Sequence, residues 1–130
     1  MPDKSLIAIV DDDPSIREGV TDLLNSMGFA TQAYESAEEF LSSDELDGTA
    51  CLITDGRMTG MTGFELHHRL LATGRFIPTI LITAFPEDTD RRRALREGMF
   101  CYLPKPFNDT ELLTCLRSAI AAHRPPRTTG

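Results

Sequence analysis

Carboxylates, a hydroxyl and an ammonium group follow closely on four apolar segments of this sequence. Asp11 and Asp12 come after the run LIAIV, and Asp55 comes after CLIT. Thr83 ends the run TILIT, and Lys105 lies two residues beyond FCYL. Carboxylates gathered without a counter-charge repel one another, so these residue types together predict a bound cation. Oxygen ligands favour a hard ion, and two or three carboxylates with room for water suit Mg²⁺.

A phosphoryl group is the substrate that fits such a set of side chains. A cation and a lysine can hold the oxygens of a phosphoryl group while one carboxylate attacks phosphorus. This chemistry requires that the four apolar segments end at one place in the fold.

The apolar segments alternate with stretches of helical periodicity along the chain. Strands are predicted at 6–10, 29–34, 50–54, 78–83 and 100–103, and helices at 14–27, 36–41, 64–73, 86–98 and after Asn108. Such strand–helix repeats with short connections predict an α/β fold, in which helices cover both faces of a parallel sheet. Ligands of these sheets lie outside the carboxyl ends of the strands. The predicted fold therefore brings the five side chains to one edge.

Four segments carry a resemblance to a known family. IVDDD, LITDGRM, ILITA and YLPKPF, in this order, resemble the receiver domain of two-component response regulators, especially receivers that precede helix-turn-helix output domains. The resemblance covers residues 5–122, so we expect a receiver domain at 1–122 and a tail or the start of a linker at 123–130. It implies a flavodoxin-like doubly wound sheet with strand order 2-1-3-4-5.

The resemblance also implies a phosphoacceptor and a metal site. Asp55 would take a phosphoryl group from a sensor histidine kinase or a small phosphodonor. Asp12 would bind Mg²⁺ directly and Asp11 would bind it through water. Asp55 and the backbone carbonyl of Arg57 would complete the ligands from this chain.

Further roles that the resemblance implies concern switching. Thr83 would hydrogen-bond the phosphoryl group, Lys105 would pair with it, and Tyr102 would swing inward on activation. The bond between Lys105 and Pro106 would be cis, a form that is common only before proline.

The fourth helix, fifth strand and fifth helix would bind partners or form a homodimer. Such a domain is not an enzyme beyond a slow loss of its own phosphoryl group.

Composition limits the remaining classes of function. The chain has 130 residues, the size of one domain, and a net charge of −7, which disfavours direct binding to nucleic acid or anionic membrane. Neither a membrane-spanning run nor a signal peptide is evident, so a cytoplasmic location is expected. The three cysteines sit in apolar segments and are predicted to be core residues.

The main alternative is an enzyme. IAIVDDDPS also resembles the first motif of haloacid-dehalogenase-type phosphatases, with Asp11 as nucleophile and Asp13 as general acid and base. Thr83 and Lys105 would then have supporting roles. That family needs a later acidic pair on a strand, which is missing here, and the alternative leaves Asp55 without a role. Capping of the first helix explains Asp13 equally well. A degenerate receiver that only binds partners fits poorly, because the full set of site residues is present.

Other polar features of the sequence have simpler interpretations. His67 and His68 are predicted to be surface or edge positions, because adjacent helix residues do not face one site. In the arginine run at 91–93, Arg91 and Arg92 are expected to form ion pairs with Glu87 and Asp88, four residues earlier, on a solvated face. Leu95 is the one sizeable apolar residue of the predicted fourth helix, which should therefore bury little surface.

Two positions in the loop after Asp55 depart from the family pattern. Gly56 replaces a bulkier residue, and Thr59 stands where proline is usual. Both changes add backbone freedom, and Gly60 and Gly63 supply no stiffness from sequence alone. A loose loop with a short-lived phosphoryl group is therefore expected.

Overall fold

The computed structural model describes residues 6–58, 60–84 and 88–123. The elements are β1 (Leu6–Val10), α1 (Pro14–Ser26), β2 (Ala30–Tyr34), α2 (Ala37–Leu41), β3 (Thr49–Asp55), α3 (Gly63–Ala72), β4 (Thr79–Thr83), α4 (Asp88–Arg96), β5 (Cys101–Pro104) and α5 (Asp109–His123). A short 3₁₀ turn at Leu46–Gly48 precedes β3 and was not predicted.

All neighbouring strands of the sheet run parallel, in the order β2-β1-β3-β4-β5. The predicted strand order and flavodoxin-like architecture are therefore confirmed. Each strand end differs from the predicted one by at most one residue. The fourth helix was predicted from residue 86, but residues 85–87 lie outside the described part of the chain.

Alternate strand residues point to opposite faces of the sheet, and each face has its own core. One face packs beneath α1 and α5, and its helix residues are Val20, Leu24, Leu112, Leu116 and Ala119. The opposite face packs beneath α2 and α3, with Phe40, Leu66 and Leu70 among its buried residues. A smaller third cluster lies between α3, α4 and β5 and contains Phe64, Leu81, Ala94 and Met99, with Tyr102 packed against it.

Local side-chain caps start α1 and α2. The Asp13 carboxylate accepts a hydrogen bond from the Ser15 amide at 2.9 Å, and Pro14 is the first helical residue. Ser36 accepts from the Glu39 amide at 3.1 Å. The capping of α1 by Asp13 is confirmed, which accounts for this third acid of the DDD triplet.

The packing of α4 differs in detail from the prediction. Leu95 is 57% exposed, and among the described side chains of this helix the buried one is Ala94. The helix therefore buries little apolar surface, as expected, although through a different residue. Arg93 pairs with Glu97 at 2.7 Å, a pair that was not predicted. The predicted ion pairs involve Glu87 and the side chain of Asp88, which lie outside the described residues.

The prediction for one of the two adjacent histidines was wrong. His68 is exposed as expected, but His67 is only 4% exposed. His67 lies three residues after Phe64 and three before Leu70, so all three share the inner face of α3. Sequence adjacency was a poor guide here because successive helix residues point about 100° apart.

The cysteines are thiols in the apolar core, as predicted. Cys51 is buried, while Cys101 and Cys115 are partly buried and pack against the same core. Burial raises the pKa of the Cys51 thiol to about 12. Among the described residues, no helix has the length and apolar character needed to cross a membrane.

Candidate functional site

Three carboxylates meet at the carboxyl ends of β1 and β3. Asp11, Asp12 and Asp55 each offer an oxygen atom, and these oxygens all lie within 4.8 Å of one another. The two strands are neighbours, with Val10 opposite Thr54, so the residues that follow are brought side by side. Asp11 is fully buried, Asp55 is nearly so at 7% exposed, and Asp12 faces solvent.

Lys105 reaches this acidic cluster from beyond β5. Its Nζ lies 3.3 Å from Asp11 Oδ2 and 3.3 Å from Asp55 Oδ2. The Lys105 amide also donates a hydrogen bond to the Thr83 carbonyl at 2.6 Å, which fixes the lysine backbone beside the end of β4. The peptide bond between Lys105 and Pro106 is cis, as the resemblance implied.

Burial and neighbouring charges act together on the Asp11 carboxyl. Burial raises the pKa of the Asp11 carboxyl, and the nearby Asp55 carboxylate adds to this effect. The Asp13 amide and the Lys105 ammonium act in the opposite direction. The Lys105 ammonium group pairs with Asp11 and Asp55, and Asp12 lies beside these two carboxylates. An all-oxygen set of this kind suits a hard divalent cation.

Thr83 and Tyr102 occupy the neighbouring strands of the same edge. Thr83 is the last residue of β4, directly after Ile82, which is opposite Asp55 in the sheet. Tyr102 lies opposite Leu81 on β5 and packs against the third core cluster. Thr83 is thus beside the carboxylates, while Tyr102 lies on the next strand and packs against a cluster that includes Ala94 of α4.

The backbone after Asp55 is held close to the site. The Gly56 amide donates to the Ile82 carbonyl at 2.9 Å, and the Arg57 amide donates to Asp55 Oδ1 at 3.2 Å. At Gly63, a Cβ atom would lie 2.4 Å from the Asp55 carbonyl oxygen. Glycine is therefore required where α3 begins, because any side chain would collide with the backbone of the central aspartate.

Contacts in this loop oppose the expected looseness. The Met61 amide donates to a Glu38 carboxylate oxygen at 3.3 Å, and Met58 is buried. Gly56 does not have a left-handed φ, and a Cβ there would meet Leu81 at an ordinary 3.4 Å. Thr59, the other departure from the family pattern, lies outside the described residues.

Two arginines near the site were missed by sequence reasoning. The Arg57 guanidinium lies 3.3 Å from an Asp90 carboxylate oxygen, which joins the loop after Asp55 to α4. Arg17 Nη1 donates to the Asp11 carbonyl at 2.8 Å. Sequence reasoning used Arg57 only for its backbone, because no local pattern connects residues that are 33 positions apart.

Comparison with known families identifies the class of domain to which this chain belongs. Residues 7–117 match the family model described as the response regulator receiver domain. The chain belongs to this family, and it is therefore a receiver domain of the two-component type. Receiver domains are signalling domains, and nothing in the comparisons supports the phosphatase alternative with Asp11 as nucleophile.

Individual relatives agree with the family match. The chain is 32% identical to the transcriptional regulatory protein TdiR of Thauera aromatica, over 92% of this chain and 53% of that protein. It is 36% identical to nodulation protein W of Bradyrhizobium diazoefficiens, over 95% of this chain and 55% of that protein. The chain thus spans about half the length of these curated relatives. A solved structure titled FixJ-N superimposes with a TM-score of 0.83 at 32% identity, covering 93% of this chain and 96% of that one.

Proposed function

We propose that Asp55 is the phosphoacceptor of this receiver domain. The observation that carries the proposal is the ammonium group of Lys105, 3.3 Å from both Asp55 and Asp11 within a cluster of three carboxylates. A carboxylate oxygen of Asp55 attacks phosphorus, so that a new O–P bond forms as the bond from phosphorus to the donor breaks. The donor keeps the bonding electron pair. Lys105 offsets the charge that remains on the acyl phosphate.

Magnesium is the proposed cofactor. Asp12 would bind it directly and Asp11 through water, together with Asp55 and the backbone carbonyl of Arg57. When bound, the ion supplies the positive charge that orients and polarises the phosphoryl oxygens. The oxygen-only ligand set and the raised pKa of the Asp11 carboxyl support this choice.

The proposed switch connects the site to α4 and β5. Thr83 would hydrogen-bond the new phosphoryl group, and Tyr102 would turn inward as Thr83 moves. Support comes from the position of Tyr102 on β5, in the small cluster that also holds Ala94 of α4. A group bound at Thr83 and Lys105 would bias the arrangement of both elements.

The proposed partners follow from the class of domain. A sensor histidine kinase would supply the phosphoryl group in the cytoplasm, and α4, β5 and α5 would form the surface for a partner or a second copy. Leu95 and Phe100, exposed by 57% and 37%, support an apolar contact there. DNA binding would fall to another part of a longer regulator, since this chain carries a net charge of −7. We retain 1–122 as the receiver domain and 123–130 as a tail or the start of a linker.

Phosphorylation with acetyl phosphate and Mg²⁺ tests the phosphoacceptor. Intact mass spectrometry should show the mass of one added phosphoryl group on the wild type and none on Asp55→Asn. Asp13→Asn is a matched control, because asparagine also caps a helix and the residue lies outside the cluster. Continued labelling of Asp55→Asn, with the label on Asp11, would refute the proposal and revive the phosphatase alternative.

Removal of one metal ligand tests the magnesium site. Asp12→Ala should weaken Mg²⁺ binding and block labelling, while the metal-free protein melts at an unchanged or higher temperature because repulsion is relieved. In EDTA, the Asp11 carboxyl should contribute a loss of stability as pH rises above 4, since the folded state holds the Asp11 proton more tightly than the unfolded chain does. Saturating Mg²⁺ should remove this loss. If the metal-free Asp12→Ala variant is unfolded or much less stable than the wild type, Asp12 has a structural role instead.

Hydrogen exchange tests the proposed switch. Addition of beryllofluoride with Mg²⁺ should change protection mainly within residues 84–106, and α1 should exchange as before. Equal protection in both states would exclude α4 and β5 as the responding elements. Light scattering of the same samples would show whether the activated form dimerises, and Leu95→Glu should prevent this dimer.

A further inference from the structure

Arg17 connects α1 to the loop that carries two of the three carboxylates. Its Nη1 donates a hydrogen bond to the carbonyl oxygen of Asp11 at 2.8 Å. This carbonyl belongs to the peptide group between Asp11 and Asp12, so the contact holds the backbone directly before Asp12. A charged donor makes such a hydrogen bond shorter and stronger than one between neutral groups.

The side chain of Arg17 is largely enclosed. It is 18% exposed, and its Nη2 also lies 3.8 Å from a carboxylate oxygen of Glu35. The side chain of Glu35 is 74% exposed, and an ion pair of this length in solvent contributes little. Fixing a long side chain in one conformation costs entropy, which a strong contact has to offset. The Asp11 carbonyl, rather than Glu35, is therefore the contact that holds Arg17.

The other polar groups of Asp11 also have partners. Its amide donates to the Tyr34 carbonyl at 3.2 Å, at the end of β2. Its carboxylate accepts from the Asp13 amide at 2.9 Å and lies 3.3 Å from Lys105 Nζ. Asp12, in contrast, faces solvent. The orientation of the peptide group before Asp12 therefore depends on the group that binds the Asp11 carbonyl.

A fixed backbone matters at Asp12 because carboxylates crowd this site. Oxygen atoms of Asp11, Asp12 and Asp55 lie within 4.8 Å of one another, and like charges at this distance repel. Since Asp12 is the exposed member of the three, repulsion favours conformations in which its side chain turns away. A ligand whose backbone is already held loses less freedom when it binds an ion, and residues that orient metal ligands raise affinity in this way.

The charge of Arg17 by itself would have the opposite effect. A guanidinium group near a site for a divalent cation repels the ion, so its removal would strengthen binding. If Arg17 positions Asp12, its removal weakens binding instead. The guanidinium is directed at a carbonyl oxygen, and Glu35 offsets part of its charge. The geometry therefore favours positioning, and the two effects predict changes of opposite sign.

We propose that Arg17 is a positioning residue for the magnesium site. By holding the peptide group between Asp11 and Asp12, it keeps the Asp12 carboxylate beside Asp11 and Asp55 before an ion binds. This role rests on the proposed magnesium site and extends it to a residue outside the carboxylate cluster. It requires no contact between Arg17 and the ion or the phosphoryl group.

Calorimetric titration with Mg²⁺ tests the role of Arg17. Arg17→Met keeps much of the apolar stem and removes the donor. Its Kd for Mg²⁺ should be about tenfold higher than that of the wild type, as for other residues that orient metal ligands. Arg17→Lys, whose ammonium group can still donate a hydrogen bond, should recover part of the affinity. Glu35→Gln is the matched control and should keep the wild-type Kd, because it leaves the bond to the Asp11 carbonyl in place.

Phosphorylation by acetyl phosphate separates positioning from general damage to the fold. At saturating Mg²⁺, Arg17→Met should reach the wild-type rate of labelling, whereas its half-maximal rate should require about tenfold more Mg²⁺. A purely structural role would lower the thermal stability and leave the Mg²⁺ requirement of the folded protein unchanged. That result, or an Arg17→Met variant that binds Mg²⁺ as tightly as the wild type or more tightly, would overturn the proposal. Failure of the wild type to bind Mg²⁺ would refute the magnesium site itself.

NMR of the wild-type guanidinium group provides a test that needs no variant. In the metal-free protein, the two Nη nitrogens of Arg17 should give separate signals, because the hydrogen bond to the Asp11 carbonyl slows rotation of the group. The same two signals should persist after addition of Mg²⁺. A single averaged Nη signal in the metal-free protein would show that Arg17 does not hold this peptide group, and the proposal would then be wrong.

Discussion

The face of the sheet beneath α1 and α5 and the corner formed by α4 and β5 are held by different forces. Beneath α1 and α5, large side chains such as Leu24 and Leu116 are fully buried against strand isoleucines. At the corner, the buried residue that α4 contributes, among those described, is Ala94. Among the described residues, polar contacts also attach α4, through Arg93 over the Phe64 ring, His67 at the Glu97 carbonyl and Arg57 at Asp90.

This difference separates a rigid frame from a part of the fold that can rearrange. Burial of apolar surface stabilises in proportion to area, and α1 and α5 bury far larger side chains than α4 does. Individual polar contacts are worth less and can be exchanged for others. Strand ends that carry Asp11 and Asp55 are therefore held in place, while α4 belongs to the less stable part of the molecule.

Truncation of one leucine in each region should give the largest contrast. Leu116→Ala removes a fully buried side chain and should lower the free energy of unfolding by about 2–5 kcal/mol. Leu95→Ala, on the exposed side of α4, should change it by less than about 0.5 kcal/mol. Urea denaturation of both variants measures this. Similar losses would mean that α4 is as firmly packed as α5.

Gly63 lies where the frame meets the site, and it should not tolerate a side chain. Gly63→Ala places a methyl group 2.4 Å from the Asp55 carbonyl oxygen and 2.8 Å from the Leu81 side chain. Overpacking of this kind should cost about 1–3 kcal/mol. The matched control is Gly19→Ala in α1, where nothing lies within 4 Å of the new atom. Gly19→Ala should instead raise the free energy of unfolding by about 0.5–1 kcal/mol, because glycine is unfavourable inside a helix. Thermal unfolding that shows no difference between them would contradict the close approach.

The contact of Arg93 with Phe64 should contribute a smaller amount to the corner. The guanidinium carbon lies 4.3 Å from the ring centroid, and the same side chain pairs with Glu97. Arg93→Met keeps much of the apolar stem of the side chain. It should lower the free energy of unfolding by about 0.5–1 kcal/mol. Arg92→Met, its exposed neighbour, is the control and should change stability by less than about 0.5 kcal/mol. If chemical denaturation gives both variants wild-type stability, polar contacts do not hold α4.

Gly56 tests whether the loop after Asp55 belongs to the frame. Its backbone does not require glycine, and a new Cβ would meet Leu81 at 3.4 Å. Gly56→Ala should therefore stabilise the fold by about 0.4–1 kcal/mol through the unfolded chain. It should also lengthen the life of the phosphorylated form, followed by intact mass spectrometry after removal of the phosphodonor. If Gly56→Ala is instead less stable than the wild type, the loop after Asp55 requires the backbone freedom of glycine.

Residues that act through strand position were predictable from the sequence. Asp11, Asp55 and Thr83 end apolar segments, and parallel strands bring their carboxyl ends to one edge of a sheet. The cap at Asp13 was predictable for a similar reason, since a cap involves residues only two or three positions apart. These features depend on local backbone patterns, which a sequence displays directly.

Side-chain positions that depend on how helices rotate and cross were decided by the tertiary structure. Examples are the burial of His67, the exposure of Leu95 and the contact of Arg57 with Asp90. Each of these depends on how elements that are far apart in the chain pack together. In the sequence, Gly63 is one glycine among several. The tertiary structure shows that this position requires glycine, because it lies against the Asp55 carbonyl. The sequence by itself therefore determined the fold, the family and the residues at the strand ends. The attachment of α4 was set by packing between distant segments, because a rotation of one helix by a single residue changes which side chain is buried.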